Sequence, residues 1–215
     1  MGVAERRERE REQLRWQIVD AARDLLLEEG LNGLSMRAIA ERIEYSPATI
    51  YLYFKDKDEL VRDVVRTGFE RLGEVVTAEL QRAGETAGAA EQYSSMGRAY
   101  ARFAVENPSY FRVMFELPST AELECREVDE DEPHGFDTAV RMVQRAVETG
   151  EFGALDPRRT AVVGWSVIHG LTTLYLSGHL GGDAQTPEEF YELVEYAISS
   201  LYTGWKPAAG GEGAS

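Results

Sequence analysis

A chain of 215 residues, 43% hydrophobic and 28% charged, has enough apolar side chains to bury a real core, as one unit or as a small domain joined to a larger one. No stretch approaches the roughly 20 apolar residues of a membrane helix, and MGVAERRERERE lacks the apolar segment of a signal peptide, so a cytoplasmic chain with no membrane partner is expected. The formal charge of −15 argues against a broad basic footprint: residues 1–66 carry 12 Lys+Arg against 14 Asp+Glu, a net of −2, and the remaining −13 lies behind them.

Along the chain, helical periodicity dominates and strand alternation is nearly absent, which predicts an all-α fold. The alternating RRERERERE segment, within a charged N-terminal arm at 1–12, reads as a solvated helical extension or a frayed arm, with reach into a DNA minor groove as the minority reading. Ile18, Ala22, Leu25 and Leu26 share one face of a first helix, and Gly30 ends it in the left-handed geometry that other residues resist. Ser35 caps a second helix whose buried stripe is Met36, Ile39, Ala40 and Ile43. After a turn at Glu44 and Tyr45, the pair Ser46-Pro47 starts a brief third helix, ATIYLYF, because serine caps and proline suits the first helical position. Asp56 and Glu59 make a capping-box-like start for a long fourth helix carrying Leu60, Val61, Val64, Val65, Phe69 and Leu72 at helical spacing.

Further helices are expected at about 91–107, 108–116, 134–149, 157–180 and 187–204, with an acidic loop, ECREVDEDEP, at 124–133 and a disordered tail at 206–215. Cys125 lies in that loop and reads as an inert thiol, and no Cys/His cluster has zinc-ligand spacing. Neither a metal nor any other cofactor is expected. His134, His169 and His179 form no acid, base or nucleophile set, which argues against an enzyme.

Two packed helices with a short turn between them, the second only seven to nine residues long, describe a helix-turn-helix. Ile50 and Phe54 are i,i+4 partners on the core side of the third helix, so Ala48, Tyr51, Leu52 and Lys55 point outward. A DNA major groove gives that exposed Tyr-Leu pair a purpose: hydroxyls bond phosphate oxygens, and Ala48, Thr49 and Leu52 pack on thymine methyls. Lys57, with the free N–H groups opening the fourth helix, is placed to clamp a phosphate.

Residues 18–60 resemble the DNA-binding domain of the TetR family, through the second helix SMRAIA and the run SPATIYLYFKDKDEL. The resemblance implies that Arg37 touches a base or phosphate, that Ser46, Pro47, Ala48, Thr49, Tyr51 and Tyr53 line the groove, and that Lys57 holds backbone. Two positions depart from the pattern: Glu44 stands in a turn where many members have glycine, and Pro47 replaces a commonly polar or basic groove residue. GRAYARFAVENPSYFRVMF and WSVIHGLTTLYLSG are similar to a subgroup whose sensor domain carries a Trp-His-Gly signature, here Trp165, His169 and Gly170. The fold so implied is an N-terminal helix-turn-helix domain at 13–62, joined through a long helix to a ligand-binding and dimerisation bundle at 63–205.

The candidate ligand-lining residues are Tyr100, Phe103, Phe111, Met114, Phe115, Trp165 and His169. Aromatic and Met-rich helices leave apolar cavities, but the same spacing describes an ordinary core, and a Trp165–His169 core pair is the competing reading. One short recognition helix contacts few base pairs, so a homodimer reading two half-sites of operator DNA is expected. The apolar face Phe190, Leu193, Val194, Ala197, Ile198 and Leu201 suits a two-fold four-helix interface. The expected function is a DNA-binding transcriptional regulator, a repressor released by a small apolar effector; the alternative is a ligand-binding or scaffolding helical protein whose reader no longer binds DNA.

Overall fold

A computed structural model of the chain describes residues 2–84, 86–115 and 135–207. Cys125, the loop at 124–133, His134 and the tail beyond Pro207 lie outside the described residues. Every regular element described is helical: α1 (Val3–Gly33), α2 (Met36–Arg42), α3 (Pro47–Ile50), α4 (Lys57–Ala83), α5 (Ala89–Glu106), α6 (Pro108–Phe115), α7 (Gly135–Glu148), α8 (Pro157–Leu176) and α9 (Pro187–Trp205), with a 3₁₀ turn at Gly181–Asp183. The fold is therefore all-α, as the periodicity predicts. The residues group into two compact units, one within Met1–Arg71 and Asn107–Asp129, the other within Leu72–Glu106 and Glu130–Ser215. The division falls inside α4, nine positions beyond the boundary expected at 62/63, and it assigns α6 to the first unit.

In the first unit the charged N-terminal segment is continuous with the first helix, making α1 31 residues long. Gly30, at φ 68° and ψ −174°, interrupts it, and the Leu34 N–H donates back to the Gly30 carbonyl at 3.3 Å. Ile18, Ala22, Leu25 and Leu26 are buried with Ile39 of α2, Ile50 of α3, Phe54, and Leu60, Val61 and Val64 of α4. Two polar anchors fix this core. Arg15 Nη2 meets both carboxylate oxygens of buried Asp63 at 2.6 Å while its guanidinium stands 5.5 Å from the centre of the Phe54 ring. Tyr110 of α6, buried between the guanidiniums of Arg23 and Arg71, donates to Asp20 Oδ1 at 3.1 Å. Gly68 of α4 leaves room for Met114 there; a Cβ at 68 would overlap the thioether chain.

In the second unit α7 packs on α5 and α8, and α9 packs on the same two helices. Its core joins Ala89, Ala139, Val143, Ala146, Phe152 and Ala161 to a ring of aromatics: Phe152 lies 5.1 Å from Tyr202 and 5.5 Å from Trp205, centroid to centroid. Burial pushes the Tyr93 phenol up to about 12, and its hydroxyl donates to the Ala161 carbonyl at 3.3 Å. The Glu151 carboxylate closes the N-terminus of α5, accepting from the Ala89 and Ala90 N–H groups at 2.9 and 3.1 Å.

One expectation is corrected here. Phe190, Val194 and Ile198 are buried inside the single chain, Phe190 stacking on Tyr175 at 4.3 Å, so these three close the unit's own core, while Leu193, Ala197 and Leu201 of the same face stay half-buried. The large apolar side chains left exposed in this unit are Val162, Val163, Trp165 and Leu174 of α8 and Tyr196 of α9. A period of 3.6 marks a buried face without saying whether the same chain or another covers it.

Candidate nucleic-acid interface and sensor site

The reader is assembled by caps. Ser35 Oγ accepts from the Ala38 N–H at 3.1 Å and starts α2; Ser46 Oγ accepts from the Thr49 N–H at 3.2 Å and starts α3, with Pro47 in the first turn. Between them Glu44 sits at φ 60°, the only described residue other than glycine in the left-handed region. That conformation turns the chain so that the Tyr45 N–H reaches the Ala40 carbonyl at 2.9 Å. The glycine-like geometry of this turn is thus present without the glycine, at a strain cost of about 1 kcal/mol.

α3 is shorter than its sequence suggests. Beyond Ile50 the spiral tightens: the Leu52 N–H donates to the Thr49 carbonyl and the Tyr53 N–H to the Ile50 carbonyl, both i→i−3. Ile50 and Phe54 are buried at 0% and 3% exposure, while Tyr51 and Leu52 on the other side stand 55% and 77% open. Ser46, Pro47 and Ala48 are exposed, and Thr49 and Tyr53 half-buried, so the residues singled out between 46 and 53 form one accessible edge. Arg37 is also exposed, on α2, with Nε 2.8 Å from Glu41 Oε1.

Lys57 differs from the others. Its Nζ donates at 3.0 Å to the Leu31 carbonyl beyond the Gly30 break, so in the free protein it ties the start of α4 to the end of α1. The neighbouring cap is reciprocal, with Asp56 accepting from the Glu59 N–H at 2.8 Å and Glu59 from the Lys55 N–H at 2.6 Å. Nothing in the local sequence signals the Leu31 bond, which spans 26 positions.

The expected ligand-lining residues divide between the units. Phe111, Met114 and Phe115 belong to the first, where Phe111 and Met114 are buried and Phe115 contacts Phe69 edge-on at 5.8 Å. Tyr100, Phe103, Trp165 and His169 belong to the second, where Phe103 is fully buried. Tyr100 Oη lies 2.7 Å from His169 Nδ1 and also accepts from the Trp165 indole, and Trp165 packs on His169 at 5.6 Å. Burial raises the Tyr100 pKa, against the lowering effect of the Trp165 bond, so the phenol keeps its proton. That oxygen therefore links the Trp165 indole to the His169 ring, the phenol and Nδ1 sharing one proton between them. Phe136 of α7, which the sequence pattern does not single out, completes the cluster 5.9 Å from Trp165. The amphipathic pattern of α7 marks Phe136 as inward-facing but carries no hint of what it meets. Trp165 itself is 42% exposed.

These two sites lie in segments matched by two family descriptions: "Bacterial regulatory proteins, tetR family" over residues 18–64, and "Tetracyclin repressor-like, C-terminal domain" over residues 93–199. The chain belongs to the TetR family of bacterial transcriptional regulators. An uncharacterised HTH-type transcriptional regulator of Haemophilus influenzae is 37% identical over 93 residues, 43% of this chain and 48% of that protein. The chain thus spans about half the length of the curated relatives it matches. Among solved structures, a protein of unknown function from Rhodococcus sp. RHA1 is 27% identical with a TM-score of 0.66, over 89% of this chain and 95% of that one. A TetR-family regulator from H. influenzae has a TM-score of 0.64 at 24% identity, covering 89% and 98%. Among the described residues no helix is long and apolar enough to cross a membrane, and no group of His, Cys, Asp or Glu could hold a metal ion.

Proposed function

We propose that this TetR-family chain acts as a cytoplasmic homodimeric repressor that holds operator DNA through α2 and α3 and lets go when a small apolar effector reaches its second unit. The observation carrying the reading is the edge at Tyr51 and Leu52, two large side chains left in solvent on a backbone pinned by buried Ile50 and Phe54. Exposing such a pair has a cost unless a groove covers it, and Tyr51, Thr49 and Ser46 offer hydroxyls to phosphates beside the apolar surface of Ala48 and Leu52. Arg37 supplies a charge from α2 once it leaves Glu41. Lys57 contributes through the fold as well as through charge, because it holds the Leu31 carbonyl.

The second copy is needed because one α3 spans too few base pairs, and the uncovered Val162, Val163, Leu174 and Tyr196 supply its contact. For the effector, the ring cluster of Tyr100, Phe136, Trp165 and His169 offers apolar faces around one fixed hydrogen-bonding chain, in keeping with the Trp-His-Gly signature. An effector seated there acts only through a difference in its affinity for the DNA-bound and DNA-free forms.

The test is a gel shift and footprint on the DNA upstream of the chain's own gene. Tyr51→Ala is expected to weaken binding by about 1–3 kcal/mol, roughly fivefold to more than a hundredfold, with an unchanged melting temperature. A well-folded wild-type protein that shifts no duplex would leave the DNA-silent alternative standing.

A further inference from the structure

The stretch of α1 from Arg7 to Gln17 lies beside the reader and encloses with it an open groove of about 670 Å³. One wall carries Arg7, Arg11, Leu14 and Gln17 of α1; the other carries Tyr45, Leu52 and Tyr53. The alternating charges of this segment separate once it is helical. Arg7, Arg11, Leu14 and Gln17 recur at i, i+4, i+7 and i+10 and face the groove, whereas Glu5, Glu8 and Glu12, at i, i+3 and i+7, fall on the opposite side. Glu10 is the acid that lines the groove, and it is held by Arg6 Nε at 2.8 Å.

The other arginines of α1 have partners: Arg6 on Glu10, Arg9 on the Glu5 carbonyl, Arg15 on Asp63, and Arg23 on Asp20 and Asp24. Arg7 and Arg11, both exposed, have no ion pair among the described residues. A chain with a net charge of −15 therefore keeps two unneutralised guanidiniums one helical turn apart, next to the one surface proposed to meet DNA.

We propose that Arg7 and Arg11 form a second nucleic-acid contact, gripping the phosphate backbone of the duplex beside the bases that α3 reads. The proposal rests on the DNA-binding reading above and deepens it. The reader from Tyr45 to Phe54 contains no charged side chain, so it recognises shape and methyl groups while offering phosphates little attraction. The arginines supply what it lacks: a planar fork matches a phosphate, and two forks about 6 Å apart along the helix follow one strand. Charge complementarity and continuity with the Tyr45, Leu52 and Tyr53 wall select a DNA strand as the occupant.

The full chain is tested against a short duplex selected on the wild-type protein from a random-sequence pool, with affinity measured over a range of salt. Arg7→Gln/Arg11→Gln is expected to reduce the slope of log K against log salt by about 0.9 for each phosphate the protein no longer neutralises, or about 3.6 when two arginines in each of two subunits are replaced. The hydroxyl-radical footprint should shorten at its outer ends, and the melting temperature should not move. Glu8→Gln/Glu12→Gln, on the far side of the helix, should leave slope and footprint in place. Failure to select any duplex overturns this proposal together with the proposed function. A selected duplex whose slope and footprint are indifferent to Arg7 and Arg11, or respond equally to Glu8 and Glu12, overturns this proposal alone.

Discussion

In the first unit the side chains proposed to act, Tyr51 and Leu52, stand in solvent on a backbone immobilised from below by Ile50 and Phe54. In the second, Tyr100 is buried and His169 half-buried, and Trp165, though its indole is exposed, is tied to both through the ring contact and the Tyr100 oxygen. The contrast separates two ways of holding a site. A surface that meets a duplex must be presented rigidly before its partner arrives, so its energy lies in caps and core residues behind it. A site that answers a small molecule keeps its polar groups satisfied internally, and any ligand must offer something in exchange for the bonds it disturbs. Substitutions in the first unit should therefore split cleanly into those that unfold and those that only unbind; in the second, the two effects should arrive together.

The sharpest break in that comparison would come from Phe54. Phe54→Ala removes a 3%-exposed ring together with the face that Arg15 covers, and a loss of about 3–5 kcal/mol in denaturant stability is expected. Arg15→Met should cost about 2–3 kcal/mol, because among the described residues Asp63 then keeps only the Arg66 contact for a carboxylate buried beside the core. If either variant unfolds normally while losing DNA, the rigid-backing account fails.

In the second unit Gly164→Val is expected to cost about 1–3 kcal/mol, since a Cβ there would overlap the Tyr93 hydroxyl and displace it from the Ala161 carbonyl. Tyr100→Phe should lose about 1 kcal/mol and alter effector response in the same protein; intact stability with an altered response would show that the second unit separates binding from folding after all. Glu44→Gly, in contrast, is expected to raise the stability of the first unit by about 0.5–1 kcal/mol by relieving its left-handed backbone, with operator affinity unchanged.

The smallest effect concerns pH. Burial tends to raise the Glu151 carboxyl, but the Thr149 hydroxyl and the Ala90 and Ala89 N–H groups outweigh it and hold it below its ordinary value. A lowered folded-state pKa contributes stability above the unfolded value and loses it as pH falls through the folded one. The stability difference between wild type and Glu151→Gln should be constant near neutrality and shrink as pH drops below the usual carboxylate range. A difference that grows on acidification would contradict the assignment.

How much of the fold and of the two sites is legible in the sequence depends on where each partner sits. Ser35, Ser46-Pro47 and Asp56 announce α2, α3 and α4 because a cap and the N–H it receives lie three residues apart. The outward direction of Tyr51 and Leu52 follows in the same local way from Ile50 and Phe54. The structural role of Lys57 is invisible locally because its partner, the Leu31 carbonyl, comes within reach only after the chain turns back on itself. The buried stripe of α9 is visible as a stripe, yet Tyr175 and the rest of its own unit cover Phe190. Likewise α6 reads as an aromatic helix of no fixed allegiance until Tyr110 settles between Arg23 and Arg71. Local chemistry writes the ends of helices; which neighbour owns a face is decided by contacts far away in sequence.

The placement of the indoles has a practical consequence. Trp16 stands in the first unit, and the other two tryptophans, Trp165 and Trp205, in the second. Replacing the half-exposed Trp16 with phenylalanine leaves all indole emission arising from the second unit, where Trp165 packs on the His169 ring at 5.6 Å. The protein thus carries its own fluorophore at the place where an effector is expected, so compound libraries can be screened by light emission without a dye.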